Sequence, residues 1–563
     1  MYFKKIVLVG VNSQYIHSNL AIRYLNKICK INGIDTIMRE FTINQRFENV
    51  FREIYELKPD LVCFSVYIWN IEFINKIIKL LKIIDKNIII LCGGPEVSFS
   101  SKEFLLNSPV DFIIEGEGEE TFLDFLNLYP KKDELLEIRG LYSKFQEKIY
   151  YLGKRDPLNI DNIPFPYDDE DDLKNKILYY ESSRGCPFKC SYCLSSISRE
   201  VRFRNIEKAK KELKYFTDKK VKLIKFVDRT FNCNQAYSYS IWEYLINDYY
   251  RENHETSFHF EISADLFSER ELVLLKRAPK GLFQFEIGVQ TTNCDVIKTI
   301  NRSMNLLKLK ENVLFLRDNT NINIHLDLIA GLPLENKASF INSFNEIYHL
   351  KPNELQLGFL KIIKGSPMSF QTEKWGMKVS PFPPYEILSN DFISYDDILE
   401  LKLVEEVLDR YHNSSRFNLT LKFFELKFKT AYDFYLSLAS FLKGIGGFER
   451  SISNEENYRV LYMFAKLKFP EDSEIVKDLI RFEYLYFNNK KVDRLFDSDL
   501  NLNKDVDKVR KSIGNNYFVS KFSMDILAFK ERGELIKGNF ILCFQKNNSQ
   551  NVTQINVNQG KKL

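Results

Sequence analysis

The 563-residue sequence has no long hydrophobic run, little glycine and almost no net charge. Its richest apolar stretch, 77–91, is broken by Lys79, Lys82, Asp85 and Lys86. It falls short of the ~18 uninterrupted apolar residues that a membrane helix needs. The first apolar run, Ile6 to Val11, is interrupted by Gly10 and followed by Asn12, which predicts a β-strand and not a signal peptide. A cytoplasmic protein without a membrane partner is expected. A formal net charge of +4 is small for this length, so nucleic-acid binding is not indicated. Glycine numbers only 22, about 4% against a usual ~7%. The positions that keep it are therefore informative: Gly93, Gly94, Gly116, Gly118, Gly288 and Gly331 each follow or end an apolar, strand-like run.

A chain this long exceeds the ~250–300 residues at which one core stops growing, which implies two or three domains. Residues 1–130 alternate β-rich runs (6–11, 36–40, 61–67, 87–92, 111–115) with helical patterns (18–31, 44–58, 70–84). That rhythm predicts a doubly wound parallel sheet of five strands, with ligands beyond the strands' carboxyl ends. A connector follows over 131–176, with a hairpin between Gly140 and Gly153 and then Pro157, Pro164, Pro166 and an acidic run. Prolines there exclude a continuous helix or central strand. Residues 177–385 resume the alternation with six strand-like runs (177–182, 223–227, 258–262, 283–289, 322–329, 354–360), as in a partial (β/α)6 barrel of the TIM type. Residues 386–563 form a mixed α+β accessory domain by pattern, ending in an Asn/Gln-rich tail after Lys546.

Nine cysteines in a large chain without a secretion signal argue against a disulfide framework. Three of them lie within eight residues of ESSRGCPFKCSYCLSS (181–196), spaced Cys-x3-Cys-x2-Cys just after the first barrel strand. Three thiolates on a compact loop can hold three irons of a cubane cluster and leave the fourth open. A structural zinc site usually needs four ligands, and the next cysteine along the chain is Cys233.

This loop, with Tyr192 in the aromatic place, resembles the defining pattern of the radical S-adenosylmethionine (SAM) enzymes. The resemblance implies that Cys186, Cys190 and Cys193 bind a 4Fe-4S cluster whose fourth iron is chelated by SAM. Reduction by a donor such as flavodoxin or ferredoxin then cleaves SAM to methionine and a 5′-deoxyadenosyl radical, which abstracts a substrate hydrogen. Tyr192 would line the adenine pocket. VDRTFN (227–232) resembles the segment that contacts the SAM amino group, through Asp228. FEISADLF (260–267) offers Glu261, Ser263 and Asp265 near the ribose. FEIGVQTTN (285–293), with Glu286 and Gln290, resembles the fourth-strand signature, Thr291 standing for its serine. HLDLIAGLPLEN (325–336), with Asp327 and Gly331, resembles the fifth-strand motif, Leu334 replacing its second glycine.

The preceding sheet is similar to the cobalamin-binding domain of the cobalamin-dependent branch. Gly93 and Gly94 match its Gly-Gly element, Ser65 partly matches its Ser-x-Leu, and EGEGEETF (115–122) resembles its fifth-strand segment. Asn12, Ser65, Gly93, Gly94, Glu115 and Gly116 are thus the implied cobalamin contacts. The Asp-x-His-x-x-Gly element is absent, since His17 sits in YIHSNL, so any corrin would lack a protein ligand below. Methyl transfer to an unactivated centre is the implied reaction, on a small molecule or peptide that the sequence does not specify. Two alternatives stay open: a methylthiotransferase with a second cluster on Cys29, Cys63 and Cys92, and a non-catalytic iron–sulfur redox sensor. The placement of those three cysteines in a helix interior and in apolar strand runs favours buried hydrophobic residues.

Overall fold

The computed structural model describes residues 2–146, 148–168, 171, 173, 175–198, 200–250, 255–488, 504–514, 516–546 and 548–555. Near the N-terminus, runs rich in Val, Ile and Leu with no polar alternation form strands buried on both faces, as parallel strands under two helical layers must be. These are β1 (Ile6–Asn12), β2 (Ile37–Thr42), β3 (Leu61–Ser65), β4 (Ile89–Gly93) and β5 (Phe112–Ile114), all parallel. Alternate residues feed two cores. Val7, Val9, Val62, Phe64, Ile90 and Cys92 face one side, and Ile6, Leu8, Leu61, Cys63, Leu91 and Phe112 the other. Helix Ile71–Ile84 covers the first side with Ile71, Ile74, Ile77, Ile78 and Leu81, spaced for one helical stripe.

The expected hairpin forms β6 (Leu141–Phe145) and β7 (Lys148–Tyr150), and it joins this sheet. The sheet therefore has seven strands, not five, in the order β2-β1-β3-β4-β5-β6-β7, the last two antiparallel. Strand order reverses between β1 and β3, the switch point where sheets of this type bind ligands.

The barrel strands are β8 (Ile177–Tyr180), β11 (Leu223–Phe226), β12 (Ser257–Ile262), β13 (Phe283–Gln290), β14 (Asn323–Ala330) and β15 (Glu354–Phe359); between the first two, a short antiparallel pair, β9 (Ser183–Arg184) and β10 (Arg202–Phe203), brackets the cysteine loop. The six strands lie in sequence order in an open sheet, the expected partial barrel, and a short antiparallel pair, β16 (Lys378–Val379) and β17 (Ile387–Ser389), follows them. Phe283, Phe285, Ile287 and Val289 alternate with Gln284, Glu286, Gly288 and Gln290 along β13. The apolar set packs on helices, with Trp242 against Phe260 and Phe285, which leaves the polar set lining the lumen.

The chain packs as two compact units, one spanning Met1–Ser343, Leu350–Pro352 and Leu357–Tyr395, the other Phe344–His349, Asn353–Gln356 and Asp396–Leu563. The N-terminal sheet and the barrel strands β8 and β11–β14 thus belong to one unit. Within the second, helices such as Asn418–Glu425, Ala431–Gly444, Asn454–Lys468 and Ser473–Asn488 precede an antiparallel sheet of β18 (Tyr517–Met524), β19 (Lys537–Gln545) and β20 (Asn548–Ile555). Buried Glu483 caps the first of these helices, accepting from the Leu419 amide at 2.5 Å and from Thr420 Oγ1 at 2.6 Å. The Asn/Gln-rich stretch after Lys546, read as a tail, contributes β20 instead, because backbone pairing with β19 needs no apolar pattern at an edge. No helix among the described residues is long and apolar enough to cross a membrane.

Candidate functional site

The cysteine loop leaves β8 and is tied down at both ends. Arg184 and Ser183 pair with Arg202 and Phe203, and the Cys186 amide donates to the Ser198 carbonyl at 3.1 Å. Gly185 has φ +106, and a Cβ there would strike the Glu200 carbonyl, so only glycine fits. Midway, Ser191 is fully buried, its amide bonded to the Ile300 carbonyl and its carbonyl to the Met368 amide, both at 2.8 Å. Cys186 and Cys190 are buried and Cys193 partly so, all as free thiols. Cys186 Sγ lies 3.7 Å from Thr230 Oγ1. Among the described residues no three His, Cys, Asp or Glu side chains converge on a single ion. Three separate thiols on a fixed loop suit a cubane, in which each thiolate takes its own iron.

Asp228 lies two residues past β11 and is almost fully buried. It accepts from the Ser182 amide at 3.0 Å, Ser182 Oγ at 2.7 Å and Ser183 Oγ at 2.5 Å. Burial pushes its carboxyl up to about 6, against those three bonds. The side chain expected to meet the SAM ammonium therefore already anchors the segment leading into the cysteine loop. Ser263 is likewise engaged: its amide and carbonyl bond the fully buried Asn232 side chain at 2.9 Å each, and its hydroxyl donates to Asp265 at 2.7 Å. Gln290 sits at a β-bulge with φ +73, and its Oε1 is buried without a partner. An orphaned buried acceptor at the mouth of the barrel fits a ligand's donor group.

Deeper in the lumen, Glu286 Oε2 meets His259 Nε2 at 2.8 Å, and this bond holds the Glu286 carboxyl below its usual range. Asp327 lies 3.1 Å from His325 Nε2, and burial raises its carboxyl. Glu261 pairs in register with Glu286. Its burial, only partly offset by Arg229, pushes it up to about 7.

The fourth- and fifth-strand motifs meet directly: Thr291 Oγ1 donates to Glu335 at 2.6 Å. A hydroxyl is what the position requires, so threonine serves where serine is usual. Leu334 holds φ +67, keeping the left-handed backbone of the glycine it replaces. Gly331, at φ +89, leaves room for Ile387, whose Cγ2 would lie 2.6 Å from a Cβ.

At the sheet's switch point Asn12 and Ser65 are buried and committed inward. Asn19 Nδ2 donates to Ser65 Oγ at 2.9 Å, and Asn12 Nδ2 to the His17 carbonyl at 2.9 Å. The glycine argument also changes. At Gly94, with φ +112, a Cβ would stand 2.5 Å from the Val66 carbonyl oxygen, so this glycine serves close backbone packing and not the approach of a ligand. Glu115 turns to the hairpin, 3.4 Å from Lys154 Nζ. Open positions remain: nothing lies within 4 Å of a Cβ at Gly116, and only ordinary contacts surround Gly93. In the loop after β3, Tyr67 and Trp69, which are not among the expected contacts, stack with centroids 4.4 Å apart, and Trp69 is 45% exposed. A flat aromatic ledge with open glycines fits a broad planar ligand. His17, bonded to Tyr179 Oη at 2.7 Å, is engaged elsewhere.

Acidic residues of EGEGEE bind the cysteine loop's arginines. Arg184 pairs with Glu117 at 3.5 Å, with Glu181 at 2.9 Å and with Glu119, while Arg202 pairs with Glu117. No local pattern marks Glu117 or Glu119 as partners. Cys29 and Cys63 lie in one core of the sheet and Cys92 in the other. Burial raises all three thiols, Cys29 to about 12. Thiols divided between two sides of a sheet cannot share a second cluster.

Residues 6–126 match the family model of the B12 binding domain, 180–347 that of the Radical SAM superfamily, and 373–563 that of a protein of unknown function, DUF4080. An uncharacterized methyltransferase of Pyrococcus horikoshii is 31% identical over 214 residues, 36% of this chain and 46% of that one. The cobalamin-dependent radical SAM methyltransferase TokK of Streptomyces tokunonensis is 25% identical over 364 residues, 58% and 50%. The chain spans about half the length of these curated relatives. In fold it resembles the radical SAM methyltransferase TsrM of Kitasatospora setae, with TM-score 0.57 and 12% identity over 67% of this chain and 79% of that one. It also resembles the cobalamin-dependent radical enzyme OxsB, with TM-score 0.58 and 15% identity over 86% and 73%. The chain is a radical SAM protein with a B12 binding domain ahead of its barrel and a DUF4080 domain after it.

Proposed function

We propose that the protein is a cobalamin-dependent radical SAM methyltransferase acting on an unactivated carbon or similar centre. One observation carries this reading: Arg184, two residues before Cys186, is ion-paired to Glu117 and Glu119, just beyond the carboxyl end of β5. The cysteine loop and the ligand edge of the sheet are thereby held together. When bound, the cluster and SAM supply radical chemistry and methylcobalamin the methyl group. Cys186, Cys190 and Cys193 would hold the cluster, and Tyr67, Trp69, Gly93 and Gly116 would seat the corrin. Asp228 keeps the loop's approach fixed through Ser182 and Ser183. Gln290 Oε1 can accept from a donor on SAM, and the burial of Cys186 and Cys190 keeps water off the reacting centre.

Protein reconstituted anaerobically should hold about four irons and retain hydroxocobalamin through gel filtration. With SAM and dithionite it should release 5′-deoxyadenosine. Its Co(II) resonance should show no nitrogen splitting from a lower ligand. SAM cleavage by a protein that retains no cobalamin would refute methyl transfer while leaving the radical SAM site intact.

A further inference from the structure

Arg302 follows the turn after helix Cys294–Thr299, where Asn301 adopts φ +53 and the Arg302 amide bonds back to the Ile297 carbonyl at 3.0 Å. That turn sends the guanidinium inward. Nη1 donates to Tyr192 Oη at 3.0 Å and to Cys190 Sγ at 3.7 Å, and Nη2 to the Gly288 carbonyl. Nε is buried with no partner. Among the described residues no carboxylate pairs with this arginine, whereas Arg184, Arg202 and Arg204 in the same unit each have one. A buried cation without an anion is strongly unfavourable. The group it faces on this chain that can carry a negative charge is the sulfur of Cys190, a thiolate when it ligates a metal.

From this geometry we infer that Arg302 is the counter-charge of the iron–sulfur cluster and sets its reduction potential. The inference rests on the radical SAM reading above. Reduction of the cluster core from 2+ to 1+ takes one electron from an external reductant, with no proton required, and adds one negative charge beside the guanidinium. A fixed positive charge and an N–H···S bond at Cys190 favour that reduced form, since hydrogen bonds to the sulfurs and net charge set such potentials. Arg302 is thus a positioning and tuning residue acting through Cys190.

The test is a redox titration of the reconstituted holoprotein, followed by electron paramagnetic resonance of the reduced cluster, for wild type, R302K and R302Q. Iron content is measured on each. R302Q should shift the equilibrium against reduction roughly tenfold or more, about 59 mV for a one-electron couple. R302K, which keeps the charge, should stay near wild type. Loss of the cluster from R302Q but not from R302K also supports the inference. A full iron complement in R302Q with an unchanged potential overturns it, as does equal loss of cluster from both variants. An unchanged potential joined to weakened SAM binding would reassign Arg302 to the SAM carboxylate and overturn it too. Wild-type protein that assembles no 4Fe-4S cluster would instead remove the radical SAM reading itself.

Discussion

Glu335 joins the fourth and fifth barrel motifs, and it does so as a buried acid. It is 1% exposed and accepts from Thr291 at 2.6 Å and from Ser339 and Ser343 at 3.5 Å, and no cation pairs with it among the described residues. Burial pushes its carboxyl from 4.5 up to about 7, a difference of roughly two to three pH units. Each unit corresponds to about 1.4 kcal/mol. Between pH 4.5 and 7 the folded chain keeps a proton here that the unfolded chain has lost. Stability must therefore fall as pH rises through that window, by on the order of 3 kcal/mol, and level off above it. Glu335→Gln removes this term and keeps an acceptor for Thr291. Urea midpoints at pH 5 and pH 8, read from the fluorescence of buried Trp242, give the comparison. Wild type should lose about 2–3 kcal/mol more than E335Q over that interval; other buried carboxylates, such as Asp228 and Glu261, are common to both and cancel. Parallel pH profiles for the two proteins would refute the reasoning.

Leu334→Gly should raise the unfolding free energy from urea titration by about 0.5–1 kcal/mol, since it relieves a left-handed leucine at the expense of some unfolded-state entropy; a lower value would mean that the leucine's packing dominates. Replacing Cys29, Cys63 and Cys92 together with serine should leave iron at about four per chain, and loss of half of it would restore the two-cluster alternative. Gly94→Ala drives a Cβ onto the Val66 carbonyl, so cobalamin retention should fall while iron stays constant; unchanged retention would show that the β3 loop does not shape the corrin site. The double variant E117Q/E119Q should split the melting of the first unit into two calorimetric transitions, whereas a single unshifted transition would show that the arginine clamp contributes little.

The cysteine loop was legible because its three cysteines are neighbours in sequence, and the strands because a parallel sheet's double burial writes itself as unbroken apolar runs. The Thr291–Glu335 bond explains why two separate motifs occur together. What escaped was long-range. Arg302 reaches Cys190 across 112 residues, and Glu117 meets Arg202 across 85, distances at which side-chain pairing leaves no periodic trace. Asp228 was placed at the right strand end, but its three bonds to Ser182 and Ser183 come from the backbone's return path, which spacing does not encode. Glu115 and Gly94 read as ligand-facing because they follow strands; only the structure turns Glu115 towards Lys154 and packs Gly94 on the Val66 backbone.

One backbone contact has a bearing on how this architecture can be taken apart. The Ile177 amide donates to the Ile16 carbonyl at 2.7 Å, Ser18 Oγ to the Ile177 carbonyl at 3.1 Å, and His17 bridges to Ile177 in parallel. Ile177 opens β8, the outermost strand of the open barrel. The loop after β1 thus acts as a cover strip on a strand edge that would otherwise invite pairing with other chains. A barrel expressed from residue 177 onward would lose that strip and bare its first strand, so aggregation, and not a working minimal enzyme, is the expected product. The two halves are not interchangeable cassettes, and any graft of a foreign corrin-binding sheet onto this barrel must bring a segment equivalent to 16–18.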